Sequence, residues 1–328
     1  MNARQVHLMA MMEAARAHRL LDMDLGHQID PFEAIARAGV TVAVVPLNNL
    51  SGAYIPAMPE TDGRPGILIN AKHPRTRQRF TAAHELCHHL RDRQDPMLDG
   101  DTEVLPRSGT PSDDAEAIAE AFAGWFLMPR RLIDKLWRDL ALPPVPRPED
   151  IYRLSLELGT SYLATTGHLY ALGKINRGAW QQLAKLPPKW IKQQLAVHGP
   201  GDAWGDVWLV GDRDRGLRHI TPRSGDEIVI ELDELPSSGY MWSPPEGPGF
   251  EVADFSFEQH DAGDSSDPIV GGHGRRRVVL RATEPGDYRL EMAMRRPWLP
   301  ADEPIRRFAI EVSVQRRPAA YAPLAEAV

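Results

Sequence analysis

The residues best suited to chemistry are His84, Glu85 and His88, which form the pattern His-Glu-x-x-His. Residues four apart lie on one face of a helix, so both imidazoles can point at one metal ion. Glu85 lies one position further round, where its carboxylate can accept a proton from a water molecule activated at that metal. The pattern predicts a zinc-dependent hydrolase. The alternative is a chance pair of histidines on a packed helix.

A zinc site that performs catalysis needs a third protein ligand and an open position for water. Downstream, the segment 113–123 is a strong helix former that carries Glu116 and Glu120 four residues apart, on one face. Either glutamate could approach the histidine pair from a second, antiparallel helix. Acidic residues also favour the N-terminus of a helix, which explains Asp113 and Asp114 better than it explains Glu120.

Length and composition set the class of protein. The chain has 328 residues, which predicts two or three domains, and its 42% hydrophobic and 25% charged residues are typical of soluble proteins. We expect no membrane association, because no segment approaches the roughly 20 apolar residues of a membrane span. The single cysteine excludes an internal disulfide and favours a reducing cytoplasm. A net charge of −7 disfavours nucleic-acid binding by the whole protein.

The first half of the chain divides into two predicted parts. Residues 1–142 form a helical domain with two strand-like runs, 40–45 and 66–70. A proline-rich linker opens the second part, 143–200, in which apolar spacing predicts two short helices around a turn at Gly159, as in a helix-turn-helix.

A helix-turn-helix raises the question of DNA binding. Residues 147–192 carry seven Lys or Arg against three Asp or Glu, a balance that suits DNA. The second predicted helix, however, offers only neutral groups such as Ser161, Thr165, Thr166 and His168, and no Arg or Lys to reach bases. A structural or substrate-docking role is therefore favoured over DNA binding.

The second half of the chain has a different residue pattern from the first. Residues 201–317 contain short β-type runs, including 227–232, 277–280 and 308–314, separated by loops rich in Gly, Pro and Asp. This spacing predicts a β-sandwich. The tail, 318–328, is rich in Ala and Pro and is expected to be disordered. The fold class is therefore a multidomain α+β protein.

Four segments together resemble the ImmA/IrrE-type metallopeptidases. They are residues 77–88, 116–119, Phe122-Ala123 and 126–129, the last reading Phe-Leu-Met-Pro. The resemblance implies a helical, zincin-like peptidase with a small sheet and one zinc ion per chain, or manganese or another divalent ion in its place. It implies His84, His88 and Glu116 as metal ligands and Glu85 as the catalytic base.

This chain departs from the family pattern at two positions. Glu120 stands where the family usually has Asn, so the choice between Glu116 and Glu120 as third ligand stays open. Cys87 stands where the family usually has Gly, and burial as a small apolar side chain is its favoured role. His89 points about 100° away from His88 on a helix, so packing or support of the ligands is expected rather than metal binding.

Three loop motifs lie between predicted strands of the second half. In chain order they are residues 235–242, 270–274 and 296–298. Their candidate protein-binding residues are Ser237, Ser238, Gly239, Tyr240, Gly271, Gly272, Gly274, Arg296, Pro297 and Trp298. Loops on a rigid sandwich are where binding residues concentrate. In order and spacing the three resemble the chagasin-type inhibitors of papain-like cysteine peptidases, which implies an immunoglobulin-like β-sandwich over residues 201–317.

These observations lead to one functional hypothesis. The protein is a cytoplasmic zinc endopeptidase that cleaves a specific protein substrate, for which the resemblance implies a transcriptional repressor in a stress or phage response. Its C-terminal domain would sense a signal or recruit a regulator or peptidase. The alternatives are a cysteine-peptidase inhibitor acting through the three loops, and a DNA-binding regulator acting through the helix-turn-helix-like segment.

Overall fold

A computed structural model gives the architecture. The described residues are 1–58, 63–92, 113–196, 205–212, 214, 219–245, 247–259, 273–299 and 303–317. Contacts divide the chain into two compact units, one made of Met1–Leu136 with Leu154–Ala184 and the other of Trp137–Arg153 with Lys185–Val328. The segment predicted as 143–200 is shared between these units, and the predicted domain limits stay a prediction.

The N-terminal region is helical and the C-terminal region is rich in strands. The helices of the described residues are α1 (Ala3–Leu20), α2 (Pro31–Arg37), α3 (Arg75–Asp92), α4 (Asp113–Leu127), α5 (Arg130–Asp139), α6 (Pro148–Leu158), α7 (Tyr162–Ala171), α8 (Arg177–Leu183) and α9 (Pro188–Leu195). The strands are β1 (Thr41–Val45), β2 (Gly52–Ile55), β3 (Gly66–Asn70), β4 (Val207–Gly211), β5 (His219–Ile220), β6 (Glu227–Glu234), β7 (Met241–Trp242), β8 (Phe250–Gln259), β9 (Gly274–Ala282), β10 (Gly286–Arg295) and β11 (Arg306–Val314).

Helix α4 is the centre of the helical region, because it packs against both α1 and α3. Its buried face consists of Ile118, Ala119, Phe122, Ala123, Phe126 and Leu127. Helix α1 begins at a capping box, in which Asn2 and Gln5 satisfy each other's backbone N–H groups. Burying the apolar face of α4 between two helices fixes the direction of its other side chains, including the glutamates of its first half.

A small three-stranded sheet accompanies the helices. Strand β3 lies in the middle, parallel to β1 and antiparallel to β2, and it buries Ile67 and Ile69. Strands β1 and β3 confirm the two strand-like runs that the sequence predicts. Strand β2 was not predicted, because four residues are too few to show a period of two. It forms an edge of the sheet and packs against α3.

Helices α6 and α7 are separated by a turn at residues 159–161, near the turn that the sequence predicts at Gly159. Ser161 caps the N-terminus of α7 by accepting a hydrogen bond from the backbone N–H of Ala164. The neutral residues considered for DNA contact are mostly unavailable, because Thr165, Thr166 and His168 are all buried. This burial disfavours α7 as a helix that reads bases.

The strand-rich region contains two four-stranded sheets, with strand orders β4-β6-β9-β8 and β5-β11-β10-β7. The runs predicted at 227–232, 277–280 and 308–314 lie within β6, β9 and β11. Along β10 and β11, buried side chains alternate with accessible ones, so one face of that sheet is turned to the core. The predicted disordered tail, 318–328, lies outside the described residues.

A buried ion pair connects strands β9 and β6. The Arg276 guanidinium donates hydrogen bonds to both carboxylate oxygens of Glu234, and both side chains are buried. The same carboxylate accepts the backbone N–H of Trp242, at the end of the first loop motif. None of the helices in the described ranges is long and apolar enough to cross a membrane.

Candidate metal centre

Helices α3 and α4 bring three metal-binding side chains together. On α3, His84 Nε2 lies 3.2 Å from His88 Nε2. From α4, one carboxylate oxygen of Glu116 lies 3.2 Å from His84 Nε2 and the other lies 3.2 Å from His88 Nε2. The two histidines come from one helix face, as the spacing predicts, whereas the glutamate is supplied by the packing of α4 against α3.

The geometry of this group fits a small divalent ion. In a tetrahedral zinc site with bonds of about 2.0 Å, neighbouring ligand atoms lie about 3.3 Å apart. The observed separations of 3.2 Å match that value. Two imidazoles and one carboxylate are also the donor types that catalytic zinc sites use, with a position left open. The residues His84, His88 and Glu116 could therefore hold a metal ion.

The protonation state of His84 suits metal binding. Burial lowers the pKa of His84, and the neighbouring His88 lowers that pKa further, while Glu116 acts in the opposite direction. A lowered pKa favours the neutral imidazole, which is the form that binds metals.

Glu120 faces the same histidine from the other side of the ring. Its carboxylate lies 3.8 Å from Nδ1 of His84, and its side chain is 69% exposed. Glu116 thus approaches both histidines at their Nε2 atoms, whereas Glu120 approaches one histidine at the opposite ring nitrogen. The geometry favours Glu116 over Glu120 as the third ligand.

Glu85 stands beside this group as the candidate proton acceptor. Its side chain is buried, and burial raises the pKa of Glu85 to about 7, with a further increase from the charge of Glu116. A hydrogen bond from the backbone of Tyr54 in β2 acts in the opposite direction. A carboxyl group with a pKa near neutrality can both accept and donate a proton at neutral pH, which is what general acid–base catalysis requires.

A cleft of about 800 Å³ opens next to these residues. It is lined by β2, by α3, by α4 and by the turn before α7. The lining residues include Ser51, Gly52, Arg77, His84, Glu85 and Ser161. Both His84 and Glu85 line this cleft.

The neighbours of the motif on α3 are buried. His89 contacts Tyr54, with 3.2 Å between Nδ1 and the Tyr54 hydroxyl oxygen. Cys87 is buried, and burial raises the pKa of its thiol to about 12, so the thiol is neutral. Both findings agree with the packing roles expected from sequence. The sequence does not predict the contacts of Tyr54 with His89 and Glu85, because β2 is too short for its residue pattern to differ from that of a loop.

Two histidines hold the C-terminal end of α4. His18 of α1 donates from Nε2 to the carbonyl of Phe126, and His168 of α7 donates from Nε2 to the carbonyl of Met128. These carbonyls belong to the last turn and exit of the helix, where no intrahelical partner is available. Burial lowers the pKa of both histidines, in the case of His168 to about 4. The neutral rings therefore fix the helix that carries Glu116.

Two of the three C-terminal loop motifs can be described. Residues Pro236–Ser238 form a 3-10 turn that ends at Gly239 in the left-handed region, with φ of 77°. A Cβ at that position would lie 2.9 Å from the Trp298 ring, so the glycine permits close approach. The Arg296 guanidinium lies over the Tyr240 ring, 4.7 Å from its centroid. The first and third motifs therefore form one surface.

Trp298 of this surface is 64% exposed. Ser238 donates its hydroxyl to the carbonyl of Leu235 and thereby stabilises the turn. Gly274 lies in β9, opposite Glu234 and Gln259, rather than in a loop. Gly271 and Gly272 lie outside the described residues.

Comparison with known families and proteins identifies two regions. Residues 35–143 match the family model of the IrrE N-terminal-like domain, Peptidase_M78. Residues 221–312 match the model of the chagasin family peptidase inhibitor I42. Both resemblances predicted from sequence are thereby confirmed.

Individual proteins resemble the C-terminal region. Amoebiasin-1 of Entamoeba histolytica is 29% identical over 103 residues, which cover 31% of this chain and 95% of that protein. Among solved structures, the cysteine protease inhibitor EhICP2 from Entamoeba histolytica is 22% identical, with a TM-score of 0.30, over 34% of this chain and 98% of that one. PbICP-C, solved in complex with falcipain-2, is 20% identical, with a TM-score of 0.22, over 34% of this chain and 100% of that one.

Residues 35–143 of the chain are therefore similar to the IrrE N-terminal-like domain family, Peptidase_M78, and residues 221–312 are similar to the chagasin family of peptidase inhibitors.

Proposed function

We propose that the protein is a zinc-dependent endopeptidase that cleaves a specific protein substrate. The observation that carries this proposal is the grouping of His84, His88 and Glu116 next to the buried carboxyl of Glu85. The two Nε2 atoms lie 3.2 Å apart, and each lies 3.2 Å from a different oxygen of Glu116. A purely structural metal site would not need that carboxyl group. The match of residues 35–143 to a peptidase family supports the same reaction class.

The chemistry divides between the metal ligands and Glu85. A divalent ion held by the three ligands would polarise the scissile carbonyl and acidify a water molecule. Glu85 accepts the proton of the attacking water on its carboxylate and passes it to the nitrogen of the departing amine. Its burial and its hydrogen bond from the Tyr54 backbone keep the carboxyl group in place for both transfers.

The cleft supports a polypeptide as substrate. Strand β2 is an edge of the small sheet, and its residue Gly52 lines the cleft beside His84 and Glu85. An extended peptide can add to such an edge through main-chain hydrogen bonds. We therefore infer that the substrate binds in an extended form along β2, with its scissile bond at Glu85. A transcriptional repressor, cleaved in the cytoplasm during a stress or phage response, is the substrate that the family resemblance implies.

The experiment that tests this proposal replaces Glu85 by Gln in the full-length chain. The substitution keeps the size of the side chain and removes its ability to accept a proton. We expect zinc content close to that of the wild type and loss of specific cleavage by at least about 100-fold, the lower range for a general base. New protein N-termini in cells that express either form give the readout. Equal sets of cleavage products from the two forms would contradict the mechanism.

A second candidate function rests on the C-terminal loops. We infer that the two four-stranded sheets form an immunoglobulin-like sandwich and that its loop surface binds a protein partner, either a cysteine peptidase or a regulator. The observation in favour is the surface formed by Gly239, Tyr240, Arg296 and the exposed Trp298. Tryptophan and arginine are enriched among the residues that dominate binding energy at interfaces.

A further inference from the structure

We propose that Glu120 is a positioning residue that orients His84 for metal binding and is not itself a ligand. This inference rests on the proposed function, because it assigns a role within the same metal site. Its basis is that the two ring nitrogens of His84 face two different glutamates. Nε2 lies 3.2 Å from Glu116, and Nδ1 lies 3.8 Å from Glu120.

The two ring nitrogens of a histidine ligand have complementary tasks. When one nitrogen offers its lone pair to a metal, the other carries the proton and usually donates it to a carboxylate, a carbonyl or a water molecule. In His84 the Nε2 atom faces His88 Nε2 and a Glu116 oxygen, each at 3.2 Å, so Nδ1 is left to carry the proton. Glu120 is the carboxylate that faces this proton.

The separation between Nδ1 and the Glu120 carboxylate decides how the contact operates. At 3.8 Å it is longer than a direct hydrogen bond. A bridging water molecule, or a small rotation of the exposed glutamate, would complete the contact. In both cases a Glu120 oxygen acts as the acceptor that favours one tautomer and one orientation of the ring.

A stabilising role elsewhere in the fold does not account for Glu120. Its side chain is 69% exposed, and among the described residues its one ion pair within 4.0 Å is the contact with His84. Helix α4 is packed through a different set of side chains, which includes Ile118 and Phe122. Glu120 lies one helical turn after Glu116, so the helix presents both carboxylates to the same histidine ring.

The experiment measures zinc affinity and coordination in the full-length chain rather than activity alone. The variants are Glu120→Ala, Glu120→Gln and Glu116→Ala, with Asp113→Ala as a control on the exposed first turn of α4. Zinc affinity is measured by competition with a chromophoric chelator, and coordination by the visible spectrum after Co²⁺ is bound. Thermal unfolding of the metal-free proteins checks that each variant folds like the wild type.

We expect Glu120→Ala to weaken zinc binding about 10-fold to 100-fold, the range for loss of a group that supports a ligand. Its Co²⁺ spectrum should keep the shape and intensity of the wild type, because the ligand set is unchanged. Glu120→Gln should bind zinc within roughly fivefold of the wild type, since the amide oxygen can still accept from Nδ1–H. Asp113→Ala should match the wild type, and Glu116→Ala should change the spectrum.

Three results would overturn the proposal. Wild-type zinc affinity in Glu120→Ala would exclude a positioning role. A Co²⁺ spectrum of Glu120→Ala altered like that of Glu116→Ala would make Glu120 a ligand. A loss in Glu120→Gln as large as in Glu120→Ala would exclude the acceptor role. Failure of the proposed function is distinguishable, because it would appear as unchanged cleavage by Glu85→Gln, whatever the zinc affinities are.

Discussion

At the scale of single residues, the candidate site depends on donor atoms that only a few side chains can supply. His84, His88 and Glu116 offer one ligand atom each, and their mutual distances leave room for one small ion between them. The HExxH spacing predicts the histidine pair, because residues four apart on a helix share a face. Spacing does not separate Glu116 from Glu120, since both lie on the same face of α4. The packing of α4 against α3 separates the two, because it brings Glu116 to the Nε2 atoms of both histidines and Glu120 to Nδ1 of His84.

Replacing Glu116 by Ala should therefore remove most of the bound metal. We expect zinc affinity to fall by more than about 100-fold, which is the upper range for loss of a supporting residue alone. Elemental analysis after dialysis gives the zinc content per chain. Asp114→Ala, on the same turn of α4, is the matched control and should retain its zinc. Full zinc content in Glu116→Ala would show that a different residue completes the site.

At the scale of elements, β2 and α3 must approach closely to support Glu85. Gly52 allows this approach, because a Cβ there would lie 2.5 Å from Cγ2 of Thr81 and 2.8 Å from the Leu68 carbonyl oxygen. The second contact is with backbone, which cannot rotate away. The same Cβ would lie 3.4 Å from the Glu85 carboxylate. The close packing of β2 on α3 thus places Glu85 against the cleft.

Gly52→Ala should consequently impair cleavage more than folding. The strand must shift away from α3, which moves the Tyr54 backbone from the Glu85 carboxylate. We expect a loss of at least about 10-fold in the cleavage products that depend on Glu85, because small misplacements of catalytic groups are costly. Gly66→Ala is the matched control in the same sheet, since its Cβ would meet only the Thr41 carbonyl oxygen at 3.8 Å. Wild-type cleavage by Gly52→Ala would refute this account.

The capping of α4 by buried histidines predicts that the helical region loses stability in acid. Burial lowers the folded-state pKa of His168 from 6.5 to about 4. The unfolded chain binds the proton below about pH 6.5, but the folded state resists it until about pH 4. The contribution of the neutral His168 ring to the free energy of unfolding is therefore complete above pH 6.5, and it is lost as the pH falls toward 4. A shift of this size corresponds to about 3 kcal/mol.

Urea unfolding followed by circular dichroism at pH 8 and pH 5, in the presence of a chelator, measures this effect. His168→Gln keeps a donor for the Met128 carbonyl but cannot take up a proton. Its free energy of unfolding should depend less on pH than that of the wild type, although His18 still contributes in the same direction. The exposed His27 supplies the control His27→Gln. An equally steep pH dependence in His168→Gln would contradict the prediction.

At the scale of the whole molecule, residues 35–143 match the model of a peptidase family and residues 221–312 match the model of an inhibitor family. Because residues 221–312 match an inhibitor family, we predict that the loop surface binds a papain-like peptidase. We expect the full-length chain to inhibit papain at micromolar concentration and Trp298→Ala to weaken inhibition at least about 10-fold, as for a central interface tryptophan. Trp190→Ala, at an exposed position on α9, should inhibit like the wild type. Absence of inhibition by the wild-type chain would leave this surface without a cysteine-peptidase partner.

The sequence by itself determined the features that depend on local spacing. These are the histidine pair with Glu85, the helices α3 and α4, the longer strand runs, and the loop motifs of the C-terminal region. The physical reason is that helical and strand periods are short, so a few residues reveal which side chains share a face.

Only the tertiary structure decided the features that join distant segments. It separated Glu116 from Glu120 by their distances to the rings of His84 and His88. It also brought the Tyr54 backbone of β2 into contact with Glu85. It gave His18 and His168 hydrogen bonds to carbonyls at the C-terminal end of α4. These contacts arise from the packing of elements far apart in the chain, and no local pattern of residues records which elements will meet.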